Sequence, residues 1–152
     1  MPGDGTNPGT TTPDRPTARL LDLTRSLRRA GRVATGVDRV ERAYAEALLL
    51  AEDVPLFGLA RTAFGYVLLD RKGIRSFFAK LGGAEEWGAA DWLSRLPRGR
   101  SEALQRAESD LRRLAIVRVV PRRLKQMLSD AMPADYAYLN VGHSNITDRV
   151  FG

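Results

Sequence analysis

Short runs rich in aliphatic and aromatic residues alternate along this chain with amphipathic, capped helical segments, and that alternation most constrains the fold. Thr35 followed three residues later by Asp38 makes a capping-box pattern. Behind it, Val37, Val40, Tyr44, Ala47, Leu48 and Ala51 recur at helical spacing and predict a helix over about 36–51 with that apolar face inward. Asp38 and Arg42 stand at i,i+4 in the favourable order for an ion pair. Val54 to Ala60 and Tyr66 to Leu69, separated by turn chemistry at 61–65, read as strands in a hairpin or as neighbours. Asp70 caps a short helix with Ile74, Phe77, Phe78 and Leu81 on one side, closed by Gly82.

The rest follows the same alternation. Residues 82–100 mix Gly, Ala, Trp87, Trp92 and Pro97 and read as a short helix inside a linker. Ser101 opens a helix carrying Leu104, Ala107, Leu111 and Leu114, whose tail, Ile116 to Val120, is β-branched up to Pro121. Arg122 to Ala131 is a further helical stretch with Leu124, Met127 and Leu128 inward, and Tyr136 to Val141 is a strand that leaves through Gly142-His143-Ser144-Asn145. Residues 19–31 fit two readings. Leu20, Leu23, Leu27 and Ala30 have helical spacing, which leans to a helix, whereas Leu21-Asp22-Leu23-Thr24 can equally be a first strand entering a basic loop. Residues 1–17 hold Gly, Pro, Thr and Asp without apolar periodicity and read as a disordered leader. The expected class is α/β, and the last strand falls where a covering crossover helix would be expected to begin.

Composition excludes more than it selects. The 152 residues contain no cysteine and one histidine, which leaves no material for disulfides, Cys-based zinc sites or a cysteine nucleophile. No apolar run approaches the roughly 18–20 residues of a membrane span, and the N-terminus lacks a secretory h-region. The net charge of +6 rests on 21 arginines against three lysines. It is regional: residues 19–50 carry +3 and residues 91–130 carry +5. Such a balance fits an anionic partner, whether nucleic acid, an acidic membrane surface or a phosphorylated small molecule, and composition does not choose among these; the arginine bias equally fits the codon usage of a GC-rich genome.

Two clusters can carry chemistry. The first is the loop holding Arg25, Arg28, Arg29, Gly31, Arg32, Thr35 and Gly36. A helix N-terminus presents unpaired N–H groups, and adjacent guanidiniums favour phosphate or diphosphate there. The alternative is a solvated basic turn, since neither a GxGxxG nor a Walker A lysine is present. The second is Gly142-His143-Ser144-Asn145-Ile146, which begins like a nucleophile elbow but lacks its second glycine and a separate histidine base. It reads instead as a polar group of residues at the carboxyl end of a strand, where open α/β sheets bind ligands, or as a structural turn. In the helices over 101–131 arginines alternate with Glu102, Glu108 and Asp110, the pattern of a solvated face.

Several blocks together resemble a known family. Leu21-Asp22-Leu23-Thr24, Thr35-Gly36-Val37-Asp38-Arg39-Val40-Glu41-Arg42-Ala43-Tyr44, Pro55-Leu56-Phe57-Gly58-Leu59 with Arg61-Thr62, Gly65-Tyr66-Val67-Leu68-Leu69-Asp70, and Tyr138-Leu139-Asn140-Val141-Gly142-His143-Ser144-Asn145 resemble, in order, the start of bacterial GT-B glycosyltransferases of the family 4 type. The resemblance spans about 19–148 and is least distinctive over 83–133. It implies a first strand at 19–24 and an incomplete Rossmann-like N-terminal, acceptor-side domain over 18–152, with a helical insertion over about 83–133 before the last strand. It also implies that Thr35, Gly36 and Arg39, with His143, Ser144 and Asn145, face a cleft where a nucleotide sugar meets a glycan or lipid-linked acceptor.

The resemblance further implies a sugar transfer in cell-surface glycan assembly, in the cytoplasm or at the inner face of the membrane with peripheral contact to it. The nucleotide sugar is substrate, with no cofactor, no metal and no specific nucleic acid. The family's His-Asp segment does not occur in this sequence, nor does its donor-binding domain. The expectation is therefore an N-terminal part of such an enzyme, inactive alone. The alternatives are a non-catalytic arginine-rich module that binds an anionic partner, and the relic of a split gene.

Overall fold

A computed structural model describes residues 15–140 and the backbone of 149–150. The chain forms β1 (Arg19–Asp22), α1 (Thr24–Arg28), α2 (Gly36–Leu50), β2 (Leu56–Thr62), β3 (Gly65–Leu69), α3 (Arg71–Leu81), α4 (Trp92–Arg95), α5 (Glu102–Leu114), β4 (Val117–Val119), a 3-10 turn at Pro121–Arg123, α6 (Leu124–Ala131), β5 (Ala137–Leu139) and β6 (Arg149–Val150). The strands make one mixed sheet in the order β4-β3-β2-β1-β5-β6. β1 runs parallel to both β2 and β5, with Leu20 beside Phe57 on one side and Tyr138 on the other. The β2–β3, β3–β4 and β5–β6 pairs are antiparallel. The molecule is thus α/β, as the alternation predicts; the 19–31 stretch begins as the strand, against the lean to a helix from Leu20, and only Thr24–Arg28 is helical.

The two faces of the sheet are covered unequally. Leu21, Leu56, Val67 and Leu69 point to a large core filled by Leu27 of α1, Ala45, Leu48 and Leu49 of α2, Ile74, Phe77 and Phe78 of α3, and Ala107 and Leu111 of α5. On the other face Leu20, Leu59 and Leu68 meet Met127 of α6 and Met132 in a smaller cluster. Such alternation of neighbours along each strand is the period-2 geometry of a sheet buried on both sides.

Local chemistry sets the element ends. Asp70 caps α3, its carboxylate accepting from the Gly73 N–H at 2.8 Å. β2 runs two residues past the expected Ala60, so the hairpin turn narrows to Ala63 and Phe64. Gly65 closes it with φ of +123°, and a Cβ there would lie 2.2 Å from the Val119 carbonyl oxygen, so only glycine lets β4 join. β4 itself is the β-branched stretch after α5, and it places a strand inside the region expected to be helical. The 82–100 segment and the end of α3 are tied to α5 by part-buried polar contacts. Asp110 accepts from the Gly88 N–H at 2.7 Å and from Lys80 at 3.0 Å, and Arg112 pairs with Asp91 at 2.5 Å.

α2 departs from expectation in its orientation. It begins and is capped as predicted, and Leu48 and, in part, Tyr44 meet the core as expected, but Glu41, Ala45 and Leu49 are buried beside them while Val37, Val40 and Ala47 stay exposed. The reason is polar. The Glu41 carboxylate accepts from the Ser26 hydroxyl at 2.7 Å and from Arg25 at 2.5 Å, which turns its side of the helix toward α1. Asp38 is likewise taken by Arg25 and Arg29, so Arg42 pairs with Glu46 at 3.2 Å rather than with Asp38. Of the expected leader, residues 1–14 lie outside the described residues; Arg15 bonds Asp53 at 2.6 Å.

Candidate ligand groove

A groove of about 680 Å³ opens at the carboxyl ends of β1, β2 and β5, on the face that α6 covers. The chain leaves β1 toward β2 on one side, and β5 later returns to its other side. That reversal is the switch point beside which open α/β sheets bind ligands.

The floor is built around Asp22, the last residue of β1. Its carboxylate accepts the Thr24 N–H at 2.9 Å and the hydroxyl proton of Tyr138, which stands opposite Leu20 on β5. Burial, followed by this bond to a carboxylate, pushes the Tyr138 hydroxyl far above its usual range, so it stays a proton donor. The Thr24 hydroxyl accepts the Arg61 N–H at 3.1 Å and joins the start of α1 to the end of β2. Arg61 pairs across the hairpin with Tyr66, its guanidinium 5.9 Å from the ring centroid.

Cations and apolar or aromatic groups line the groove together. Arg25 and Arg28 project from α1, and Arg61 from β2. Leu124 and Leu128 of α6 line it with Tyr66, Tyr136 and Tyr138. Arg25 is already committed to Asp38 and Glu41, at 3.0 and 2.5 Å. Among the described residues Arg28 and Arg61 pair with no carboxylate, and both are exposed. Two guanidiniums without a carboxylate partner in a groove that also holds tyrosine rings suit a ligand that is anionic in one part and flat or apolar in another. Asp22 adds an acceptor to the lining.

The residues singled out in the sequence are placed elsewhere or outside the described part. Thr35 is the N-cap of α2, Gly36 its first residue, and Arg39 lies exposed in its first turn; none lines the groove. At that N-terminus the protein's own Asp38 carboxylate accepts the Thr35 N–H at 2.7 Å and the Thr35 hydroxyl at 2.9 Å. Arg25 and Arg29 close on the same carboxylate, both at 3.0 Å. His143, Ser144 and Asn145 lie outside the described residues, although Asn140, just before them, is on the groove wall. Of the basic loop, Arg25 and Arg28 do reach the groove.

Sequence reading missed Asp22, Arg61, Tyr66 and Tyr138 as groove residues. Each sits at or near a strand end, but their convergence depends on β5 lying beside β1, which no local pattern encodes. Among the described residues no group of three or more His, Cys, Asp or Glu is placed to hold a metal ion, and no helix is long and apolar enough to cross a membrane. No family model matches the chain, and no curated protein or solved structure matches it significantly.

Proposed function

We propose that the groove binds the phosphorylated part of a sugar-bearing ligand, and that the chain supplies the acceptor-side α/β unit of a GT-B glycosyltransferase that uses a nucleotide-sugar donor. The observation that carries the ligand class is that Arg28 and Arg61, neither paired with a carboxylate among the described residues, line a groove at the carboxyl ends of parallel strands together with Tyr66, Tyr136 and Tyr138. The resemblance of Thr35 to Tyr44 and of the strand blocks to family 4 enzymes supplies the reaction class. On this reading Arg28 and Arg61 stabilise phosphate charge, the aromatic wall stacks a ring, and Asp22 accepts from a hydroxyl. Work on a cytoplasmic, membrane-proximal glycan acceptor belongs to the same proposal.

Calorimetric titration of the chain with uridine diphosphate, guanosine diphosphate and inorganic pyrophosphate tests it. Saturable binding of a nucleoside diphosphate is expected, weakened by roughly tenfold or more in Arg28→Ala and Arg61→Ala, as befits loss of one charge-assisted contact of about 1.5–3 kcal/mol. Both side chains are exposed and form no ion pair among the described residues, so thermal stability should change little. Salt-sensitive binding of duplex DNA or anionic vesicles, with no response to nucleoside diphosphates, would replace this reading with that of a non-catalytic anion-binding module.

A further inference from the structure

α2 carries a second apolar face that the fold leaves unused. Val40, Ala43, Ala47 and Leu50 alternate spacings of three and four residues, the seam of a two-helix coiled coil, and all four are exposed. Val40 and Leu50, the large side chains at the two ends of the seam, are 64% and 84% exposed, and Val37, a turn before Val40, is 51% exposed. Ala43 and Ala47, also exposed, keep the middle of the face low enough for a second backbone to approach. Large aliphatic side chains on one exposed helix face are unusual where the opposite side of the same helix already anchors the core through Ala45, Leu48 and Leu49.

The charges bordering this face are self-complementary in one orientation. Arg39 and Glu46 lie on the same outer edge of the seam, seven residues and two turns apart, about 10 Å along the axis. Among the described residues Arg39 has no partner, and Glu46 bonds only Arg42 of its own helix, with half-exposed side chains on both. A two-fold axis through Ala43 lays two such helices antiparallel and sets each Arg39 against the other copy's Glu46. A parallel pair would instead oppose arginine to arginine and glutamate to glutamate.

We propose that this face of α2 docks against the same face of a second copy of this chain, antiparallel about Ala43. The interface is isologous, so each charge pair forms twice. It lies on the helix-covered side of the sheet, opposite the face that carries the groove, so it goes beyond the binding proposal and stands or falls independently of it.

Sedimentation velocity across a concentration series reads it directly. The full chain should show a monomer–dimer equilibrium whose dissociation constant rises at least about tenfold in Val40→Glu, which buries a charge at the seam. Arg39→Glu and Glu46→Arg should each weaken the dimer, and the double variant R39E/E46R should restore it. Because both charges are on the surface, these variants keep the test valid even if Val40→Glu does not fold. The chain has no cysteine, so single introduced thiols report geometry. Ala43→Cys should cross-link to its copy on oxidation, whereas Val37→Cys, about 18 Å from its counterpart in this arrangement, should not. A monomer at every attainable concentration, a dimer indifferent to Val40→Glu and to the charge reversals, or cross-linking through position 37 instead of 43 would overturn the proposal.

Discussion

Asp38 is the residue on which the start of α2 turns. Its carboxylate receives a backbone N–H, a hydroxyl and two guanidiniums, and its own N–H is capped by Thr35. The Thr35 N–H foremost, then the Thr35 hydroxyl and Arg29, hold the acid far below the usual carboxylate range, against the opposing effect of partial burial. A depressed folded value means that this stability is complete above the unfolded carboxylate value near 3.9 and is lost as pH falls below it toward the folded value. Asp38→Asn should therefore cost about 1–2 kcal/mol at neutral pH. It should also flatten the acid limb of the stability curve below about pH 4, because the variant has no such proton to take up. Urea titrations of both proteins from neutral to acid pH check this; parallel curves would show that Asp38 does not carry the pH dependence. At this scale the sequence was half legible. The Thr35–Asp38 spacing announces the cap, but Arg25 and Arg29 look like ligands for an external phosphate until the carboxylate is seen to fill their grip.

Helices are legible in extent more than in orientation. α3 has the predicted cap and buries the predicted Ile74, Phe77 and Phe78, because it carries one apolar stripe and so has one way to dock. α2 carries two apolar stripes, and periodicity cannot rank them; Glu41, bonded to Ser26 and Arg25, decides which one meets the sheet. The far end of α2 depends on a contact with no sequence signature. Arg71, in the first turn of α3, donates to the carbonyls of Leu48 and Leu49 at 3.0 and 2.8 Å, and to those of Ala51 and Val54 at 3.1 and 3.0 Å. One guanidinium thereby satisfies terminal carbonyls that the helix leaves open, and its charge suits the negative end of the helix dipole. Arg71→Met removes all four bonds and should destabilise the chain by about 2 kcal/mol. In a chain of this size that lowers the melting temperature by roughly 4–8 °C. Arg71→Lys should recover only a small part, since a single ammonium cannot span four carbonyls. A calorimetric scan in which lysine fully rescues would show that the charge alone mattered.

The order of the strands is a property of the whole molecule, and local pattern gives no access to it. Asp22 and Tyr138, which bond across the groove floor, are 116 residues apart in the chain. That separation is why the strands themselves were readable from their residues while the groove between them was not. The same topology divides the molecule energetically. Leu21, Val67 and Leu69 lie under four helices, whereas α6 holds its side of the sheet with Met127 as its one fully buried residue. Regions with few buried apolar contacts open at lower free energy than the core they rest on. Amides of α6 should therefore exchange with solvent well before those of β1 and β2 under native conditions. Because Leu124 and Leu128 of α6 line the groove, a ligand seated there must hold α6 closed. Uridine diphosphate or pyrophosphate, whichever binds, should then slow exchange over 124–128 in proportion to its occupancy. If α6 exchanges as slowly as β1 in the free protein, the division is wrong. If bound ligand leaves residues 124–128 unprotected, its site lies away from Arg28 and Arg61, and the anion must be sought elsewhere on the surface.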